Sequence, residues 1–222
     1  MRERVVACSI FEATPTDMPL IFTGPLLHEM TPELRRKIER AYSEFPELGD
    51  RRVIVGITRK HWLDGYAVGE DFCIRLNVRR RTGVSLFTIG HELTHLLQKP
   101  GLGIVPEGEV QCDIWTLARS RLFLDEMPSY LDVSPCTEDT WEGHAGDIRQ
   151  LCIRAIEVRK TKRRYIVWLK AMFRQCLGGP IQLALFDADR TGPEQLIAAV
   201  GRVGFRARRY LQLRPEIFQA LE

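Results

Sequence analysis

The residues with the clearest chemical meaning form the run His91-Glu92-Leu93-Thr94-His95. Two imidazoles four residues apart on a helix face the same way and can bind one zinc ion. Glu92 lies between them, where a carboxylate can act as a general base on the water that the metal activates. The alternative is a helix whose histidines are half exposed and have no chemical role. Because the chain has only five histidines, chance seldom produces this spacing, and the run favours a zinc site.

A helix is the element that this pattern needs, and the neighbouring residues predict one. Its apolar stripe at helical spacing consists of Leu86, Ile89, Leu93 and Leu97. The expected N-cap is Thr82 or Ser85, and Pro100-Gly101 is the expected stop. The two histidines and Glu92 then fall on another face of this helix.

The third zinc ligand is expected from the next helix, because a catalytic site has three protein ligands and keeps its fourth position for water. That helix opens near Pro106 and carries Glu109, the candidate ligand. Asp113 follows one turn later and is expected to accept the free N–H of a ligating histidine. The alternatives for the third ligand are Glu107, Asp113 itself, His144, and Cys112, which is also expected to pack as a small apolar residue.

The loop between the two helices has the composition of a chain reversal. Residues 99–108 include three glycines and two prolines, enough to return the second helix against the first. The third ligand requires that return.

Two motifs, His91-Glu-Leu-Thr-His95 and Glu109-Val-Gln-Cys-Asp113, give the chain a family resemblance. It resembles the zincin metallopeptidases of the gluzincin type, whose pattern is H-E-x-x-H followed by E-x-x-x-D. Within these it looks most like the compact ImmA/IrrE-type and minigluzincin peptidases. Cys112 and Thr116 stand where that family usually has Ala. The resemblance covers residues 32–125 and implies a zinc-dependent peptidase acting on a peptide or protein substrate.

The elements before the first motif have patterns that fit this architecture. Helical spacing predicts a helix over 32–45, and Val53-Ile54-Val55 predicts a buried strand. Alternation predicts a hairpin of strands 66–68 and 72–78. The strand over 72–78 is our candidate for the edge that aligns an extended peptide by main-chain pairing; the alternative is an ordinary core hairpin.

The predicted fold class is α+β: a zincin-like core of a small mixed sheet, the active-site helix and the third-ligand helix, followed by further helices. Spacing predicts these further helices over 137–160 and 164–177. We expect a metallopeptidase domain over 1–177. Residues 178–222 are expected to form an appendage of unknown role, with a β-α-β pattern over 181–211.

Charge and cysteine content bear on partners and compartment. The net charge is +3, and basic runs occur at 79–81, 159–164 and 202–209. Such runs are usually solvated faces, but they also leave open a nucleic acid or an acidic protein as partner. Six cysteines without a C-x-x-C pair, no recognisable secretory leader and no apolar run of membrane-spanning length predict a cytoplasmic protein with reduced thiols and no membrane contact.

The expected mechanism is zinc-assisted peptide hydrolysis. Zinc held by His91, His95 and Glu109 lowers the pKa of its water and polarises the scissile carbonyl, while Glu92 takes the proton and later delivers it to the leaving amine. A neutral donor to the oxyanion is also needed. Its candidates are His144, which Glu142 and Asp147 could orient, and the tyrosines Tyr66, Tyr130 and Tyr165.

Two other functions remain open from the sequence. One is a catalytically silent zincin-fold regulator or scaffold that binds DNA or a protein through its basic segments. An intact Glu92 argues against it, because a structural zinc site needs no general base. The other is a zinc hydrolase whose substrate is not a peptide.

Overall fold

The computed structural model describes residues 20–49 and 51–177 of the chain. Within these ranges the protein is α+β, with one four-stranded mixed sheet and six α-helices. The appendage expected over 178–222 lies outside the described residues. No helix in the described ranges combines the length and the apolar character needed to cross a bilayer.

The sheet contains β1 (Leu20–Phe22), β2 (Val53–Ile57), β3 (Gly65–Val68) and β4 (Cys73–Leu76), in the order β1-β2-β4-β3. Strands β1, β2 and β4 are parallel, and β3 runs antiparallel to β4. The predicted hairpin and buried strand are confirmed. The prediction that the strand over 72–78 is the edge is wrong, because β4 also pairs with β2 and so lies inside the sheet. In the described part of the chain, the two edge strands are β1 and β3.

The two faces of the sheet differ in burial. On one face the side chains of β2 and β4 enter the core, and these are Val53, Val55, Ile74 and Leu76, all 0% exposed. On the other face lies Arg75 of β4, whose cross-strand partners are Gly56 of β2 and Tyr66 of β3. A mixed sheet with one buried face gives the alternation that predicted these strands.

Helices α1 (Gly24–Glu29) and α2 (Pro32–Ser43) follow β1. The predicted helix over 32–45 is confirmed, with a proline in its first turn and Thr31 as N-cap. The Thr31 hydroxyl accepts a hydrogen bond from Leu34 N at 3.0 Å, which satisfies one free N–H of the first turn. The side of α2 that carries Ile38 is buried in the core.

Helix α3 (Leu86–Leu96) carries the first motif. Ser85 is the N-cap, accepting from Thr88 N at 2.9 Å, so one of the two expected caps is confirmed. The Asp125 carboxylate accepts from the amides of Leu86 at 2.7 Å and Phe87 at 2.9 Å. A negative charge at a helix N-terminus is favourable because it meets free N–H groups and the positive end of the helix dipole. Asp125 therefore fixes the start of the helix that holds both histidines.

Helix α3 is buried almost all round rather than amphipathic. Its buried residues run from Phe87 to Leu96 with His95 alone half exposed. A helix with no solvated face packs against other elements on every side. Packing of this kind restricts how far the side chains of His91 and His95 can move.

Helix α4 (Glu109–Arg119) packs against α3 at close range. A Cβ on Gly90 of α3 would lie 3.0 Å from Thr116 Cγ2 of α4 and 2.7 Å from the Phe123 ring, which follows α4, so glycine permits this close packing. Beside it the Thr94 hydroxyl donates to Gly90 O at 2.8 Å and lies 2.8 Å from the Thr116 hydroxyl. Thr116 stands where the resembled family usually has Ala, and its buried hydroxyl has a partner here.

Helices α5 (Trp141–Arg159) and α6 (Tyr165–Leu177) confirm the two helices expected after the core. Helix α5 packs against α4, and α6 packs against α5. The cysteines in the described ranges are free and buried: Cys73, Cys112, Cys136, Cys152 and Cys176.

Candidate metal centre

Three potential ligand atoms converge between α3 and α4. The Nε2 atoms of His91 and His95 lie 3.1 Å apart, and Glu109 Oε2 lies 3.0 Å from the first and 3.1 Å from the second. The histidines are one turn apart on α3, and Glu109 is the first residue of α4. The reversal over 99–108 thus brings the carboxylate of one helix to the imidazoles of the other.

The other ring nitrogens show which atoms carry hydrogen. His91 Nδ1 lies 2.8 Å from Asp113 Oδ1, and His95 Nδ1 lies 2.9 Å from Gln98 Oε1. Both partners are acceptors, since the Gln98 amide nitrogen donates to Pro106 O and to Gly108 O. Each Nδ1 therefore donates, and each neutral imidazole has its lone pair on Nε2. Two imidazole lone pairs and a carboxylate oxygen that point at one another suit a shared cation.

The titration of the site shows the same affinity for positive charge. Burial disfavours a charged His91, but hydrogen bonds to Asp113 and Glu109 outweigh it and raise the pKa of His91 to about 9. The hydrogen bond from His91 also lowers the pKa of Glu109. A proton and a metal ion compete for such a site, because ligating histidines must be neutral.

Cys112 is a buried residue next to the same two histidines. Ligand atoms of His91, His95 and Cys112 all lie within 4.8 Å of one another and could hold a metal ion. The sulfur lies 3.2 Å from His95 Nδ1, the nitrogen on the side of the ring away from Nε2. Burial raises the pKa of the Cys112 thiol well above its usual range, so it resists forming the thiolate that metals bind. Glu109, whose charge is stabilised, fits the two Nε2 atoms better.

Glu92 faces the same space but is not used structurally. Its side chain is buried, and Oε2 has no hydrogen-bond partner among the described residues. Burial raises the pKa of Glu92 to about 8, although the nearby His91 opposes this shift. A buried carboxylate oxygen without a partner is costly, and in a cleft it is available to an incoming molecule.

A cavity of about 510 Å³ opens over these residues. Gly65 and Tyr66 of the edge strand β3 line this cavity, and Tyr130 also lines it. Trp62 lies at this cavity with 69% of its surface exposed. Exposed aromatic side chains at a cleft commonly contact ligands.

Of the four candidates for the oxyanion donor, two line this cavity and two do not. Tyr66 and Tyr130 line the cavity, and the Tyr130 ring stacks on His91 with 5.6 Å between ring centroids. His144 is not among the lining residues: it lies on α5, next to Asp147. Tyr165 donates to the side chain of Gln111. The structure therefore places two of the four candidates, Tyr66 and Tyr130, at the cavity, and not His144.

Asp113 accepts two main-chain hydrogen bonds that the sequence did not predict. It is fully buried, and its second oxygen accepts from Tyr130 N at 2.8 Å and Leu131 N at 2.7 Å. Gln98, the partner of the second histidine, was not among the predicted residues. Gln98 lies in the turn after α3, where its main-chain N–H donates to His95 O at 3.0 Å, so its position three residues after His95 was the available signal.

The first basic run makes intrachain ion pairs. Arg79 pairs with Glu29, and Arg80 pairs with Asp64 and Glu126. These two arginines therefore have carboxylate partners within the protein. A nucleic acid or acidic protein partner for the basic segments stays a prediction.

Comparison with protein-family models, with curated proteins and with solved structures gave no match. Any functional assignment for this chain therefore depends on the chemistry of its own residues.

Proposed function

We propose that this chain is a zinc-dependent metallopeptidase of the zincin type. The observation that carries the proposal is the convergence of His91 Nε2, His95 Nε2 and Glu109 Oε2 beside Glu92, a buried carboxylate with a partnerless oxygen. A structural zinc site is normally closed by four protein ligands and has no use for an adjacent base. Three ligands next to a base in an open cavity are the arrangement of a hydrolytic site.

The proposed ligands of zinc are His91, His95 and Glu109. Two nitrogen donors and one carboxylate form a common ligand set for catalytic zinc. Asp113 and Gln98 hold the two imidazoles through Nδ1 and so keep each Nε2 directed at the metal. A bound zinc ion would supply Lewis acidity, which lowers the pKa of water and polarises the substrate carbonyl.

Glu92 is proposed to move the proton. Its unpartnered Oε2 accepts a proton from the attacking water and later donates it to the leaving amine. The burial of Glu92 favours the protonated form that it holds between these two steps. Tyr66 and Tyr130 are the candidates to donate a hydrogen bond to the oxyanion that develops on the carbonyl.

The edge strand favours a peptide over other hydrolysable substrates. In the described part of the chain β3 is the last strand of the sheet, and it lines the cavity. The free main-chain groups of an edge strand pair with an extended peptide. Such pairing places a scissile bond along β3 above Glu92.

The test is hydrolysis of a complex peptide mixture by the full chain with zinc, followed by mass spectrometry. Glu92→Gln should keep its fold and its zinc while hydrolysis falls by orders of magnitude, because only the proton-transfer group is lost. Glu138→Gln, at an exposed carboxylate shortly before α5, is the matched control and should remain active. Undiminished turnover by Glu92→Gln excludes Glu92 as the base. Zinc retention without hydrolysis by the unaltered chain favours the regulator or scaffold instead.

A further inference from the structure

A second cavity, of about 560 Å³, lies next to the proposed catalytic cavity. It is at the carboxyl ends of the parallel strands β1 and β2, and its walls include Thr23 and residues 57–60, which follow those ends. Ligands of parallel sheets commonly bind just beyond the carboxyl ends of the strands. The position alone makes this cavity a candidate for binding.

The charged side chains that line this cavity are positive. Its lining includes Arg59, Lys60 and Arg75 and, as far as the described residues go, no Asp or Glu. Among the described residues no carboxylate lies within 4.0 Å of any of these three cations. Arg79 and Arg80, close by in sequence, do have such partners. Three cations without a carboxylate make this cavity attractive to an anion.

Arg75 is held in place by the sheet beneath it. A Cβ on Gly56 would lie 3.3 Å from both Arg75 Nη1 and Thr23 Oγ1, so the guanidinium extends across β2 toward Thr23. Thr23 Oγ1 is buried and has no hydrogen-bond partner in the described ranges. A guanidinium and an unused hydroxyl side by side can donate together to a carboxylate.

Tyr66 joins this cavity to the catalytic one, because it lines both. The loop after β2 also spans the two: Lys60 lies in the basic cavity and Leu63 in the catalytic one, linked by a hydrogen bond from Leu63 N to Lys60 O at 3.1 Å. Asn77 donates to Leu63 O at 2.9 Å and fixes this loop. One ligand can therefore occupy both cavities.

The side chains of an extended peptide also alternate in a way that lets them reach both cavities. Side chains of a strand alternate between the two faces of a sheet. Along β3 one face carries Gly65, which contacts Glu92, and the other carries Tyr66 opposite Arg75. A peptide paired with β3 thus directs alternate side chains toward the base and toward the cations.

From this geometry we infer that the basic cavity binds a carboxylate of the substrate, so that acidic peptides are preferred substrates. This inference rests on the proposed peptidase function. The carboxylate belongs to an acidic side chain or to the C-terminus of the peptide, and both have the same chemistry toward Arg75 and Lys60. Lys60 and Arg59 are exposed, so the attraction weakens as salt is added.

The experiment measures binding to the zinc-loaded Glu92→Gln chain, which holds peptides without cleaving them. The probes are fluorescent alternating Ala/Glu and Ala/Gln peptides of equal length, each with a free or an amidated C-terminus. At low salt the peptides with the recognised carboxylate should bind about tenfold more tightly, the effect of a charge-assisted contact. Loss of preference on amidation identifies the terminus, and loss on the change from Glu to Gln identifies the side chain.

Variants locate the contact. Added to Glu92→Gln, Arg75→Gln or Lys60→Gln should remove most of the preference, and the exposed Lys60 provides a test if Arg75→Gln fails to fold. The matched control is Lys162→Gln, which removes one exposed cation after α5. Equal affinity for all four probes, or a preference that survives both cavity variants, overturns the inference.

The inference and the peptidase proposal fail in different ways. Cleavage by the unaltered chain without any preference for acidic peptides rejects the inference and leaves the peptidase function standing. Binding of acidic peptides that depends on Arg75, without cleavage by the unaltered chain, rejects the peptidase function and leaves the carboxylate site standing.

Discussion

Gly65 of the edge strand lies directly against the Glu92 carboxylate. A Cβ on Gly65 would be 2.7 Å from Glu92 Oε1, a distance that atoms without a hydrogen bond do not adopt. Space, rather than an unusual dihedral angle, therefore opposes a larger residue here unless the Glu92 carboxylate shifts. The strand proposed to align the peptide and the side chain proposed to move the proton are in contact, with room for nothing between them.

Gly65→Ala should consequently displace Glu92 while leaving the three zinc ligands in place. We expect zinc content to be unchanged and kcat to fall about 100-fold, since a misplacement of the order of 1 Å has that effect on a reacting group. The control is Gly146→Ala on α5, where a Cβ meets no atom within 4 Å. Steady-state kinetics with metal analysis measure both. A Gly65→Ala protein with unaltered kcat would show that the position of Glu92 does not matter.

The identity of the third ligand is tested by removing each candidate. Glu109→Ala should lose most of the zinc, because the two Nε2 atoms then have no carboxylate partner. Cys112→Ala should retain zinc, because its sulfur contacts the far nitrogen of His95. Competition with a chromophoric chelator gives both affinities. The opposite order of effects would assign the site to His91, His95 and Cys112.

Asp113 should influence zinc only through His91. Asp113→Asn keeps the shape of the side chain but loses one of its acceptor oxygens, so zinc affinity should fall about 10–100-fold while saturating zinc still fills the site. The melting temperature should also fall, because Asp113 is fully buried and accepts three hydrogen bonds. An empty site at saturating zinc would mean that Asp113 is itself a ligand.

The oxyanion donor is expected among the cavity tyrosines. Tyr130→Phe or Tyr66→Phe should lower kcat about 100- to 1000-fold with little change in KM, the effect of removing one oxyanion donor. His144→Ala should leave kcat unchanged, because His144 does not line the cavity. Kinetics on one peptide compare all three variants. A large effect of His144→Ala alone would contradict this placement.

The stability of the metal-free chain should fall as the pH rises. In the fold the pKa of His91 is raised from 6.5 to about 9 and that of Glu92 from 4.5 to about 8. Between the unfolded and folded values the folded chain binds more protons, so this contribution to the free energy of unfolding is lost as the pH passes through about 8 to 9.

Zinc should oppose this loss of stability at higher pH. It replaces the proton on His91, so its affinity for the site rises with pH. The difference in melting temperature between zinc-loaded and metal-free protein should therefore widen from about pH 6 to about pH 9. Thermal unfolding in both states over this range measures it. A constant difference would show that no ligand releases a proton when zinc binds.

Local sequence patterns predicted helices and strands, but they did not predict which strands pair when these lie far apart in the sequence. Helical spacing located α2, α3 and α4, and alternation located the hairpin of β3 and β4. The sheet order did not follow, since the parallel pairing of β2 with β4 joins segments that no short-range pattern connects. For that reason the wrong strand of the hairpin was expected at the edge.

In the candidate site as well, positions within one helix could be predicted from the sequence, whereas distances between packed elements could not. The positions of His91 and His95 relative to each other follow from one helix, so their spacing was sufficient. His144 was singled out by its neighbours Glu142 and Asp147, which say nothing about the distance from α5 to the cavity. The burial of Glu92 and the role of Gln98 depend on how α3, β3 and α4 pack, which a helical period does not encode.

The buried carboxylate of Asp113 connects the proposed metal centre with one part of the cavity lining. One oxygen holds His91, and the other holds the main chain at Tyr130 and Leu131. The amide protons of these two residues are therefore reporters of metal occupancy, and their exchange with solvent should be slower in the zinc-loaded chain. By thermodynamic linkage, a ligand that weakens zinc binding when it displaces Tyr130 from His91 must itself bind more weakly, by the same factor, when zinc is present.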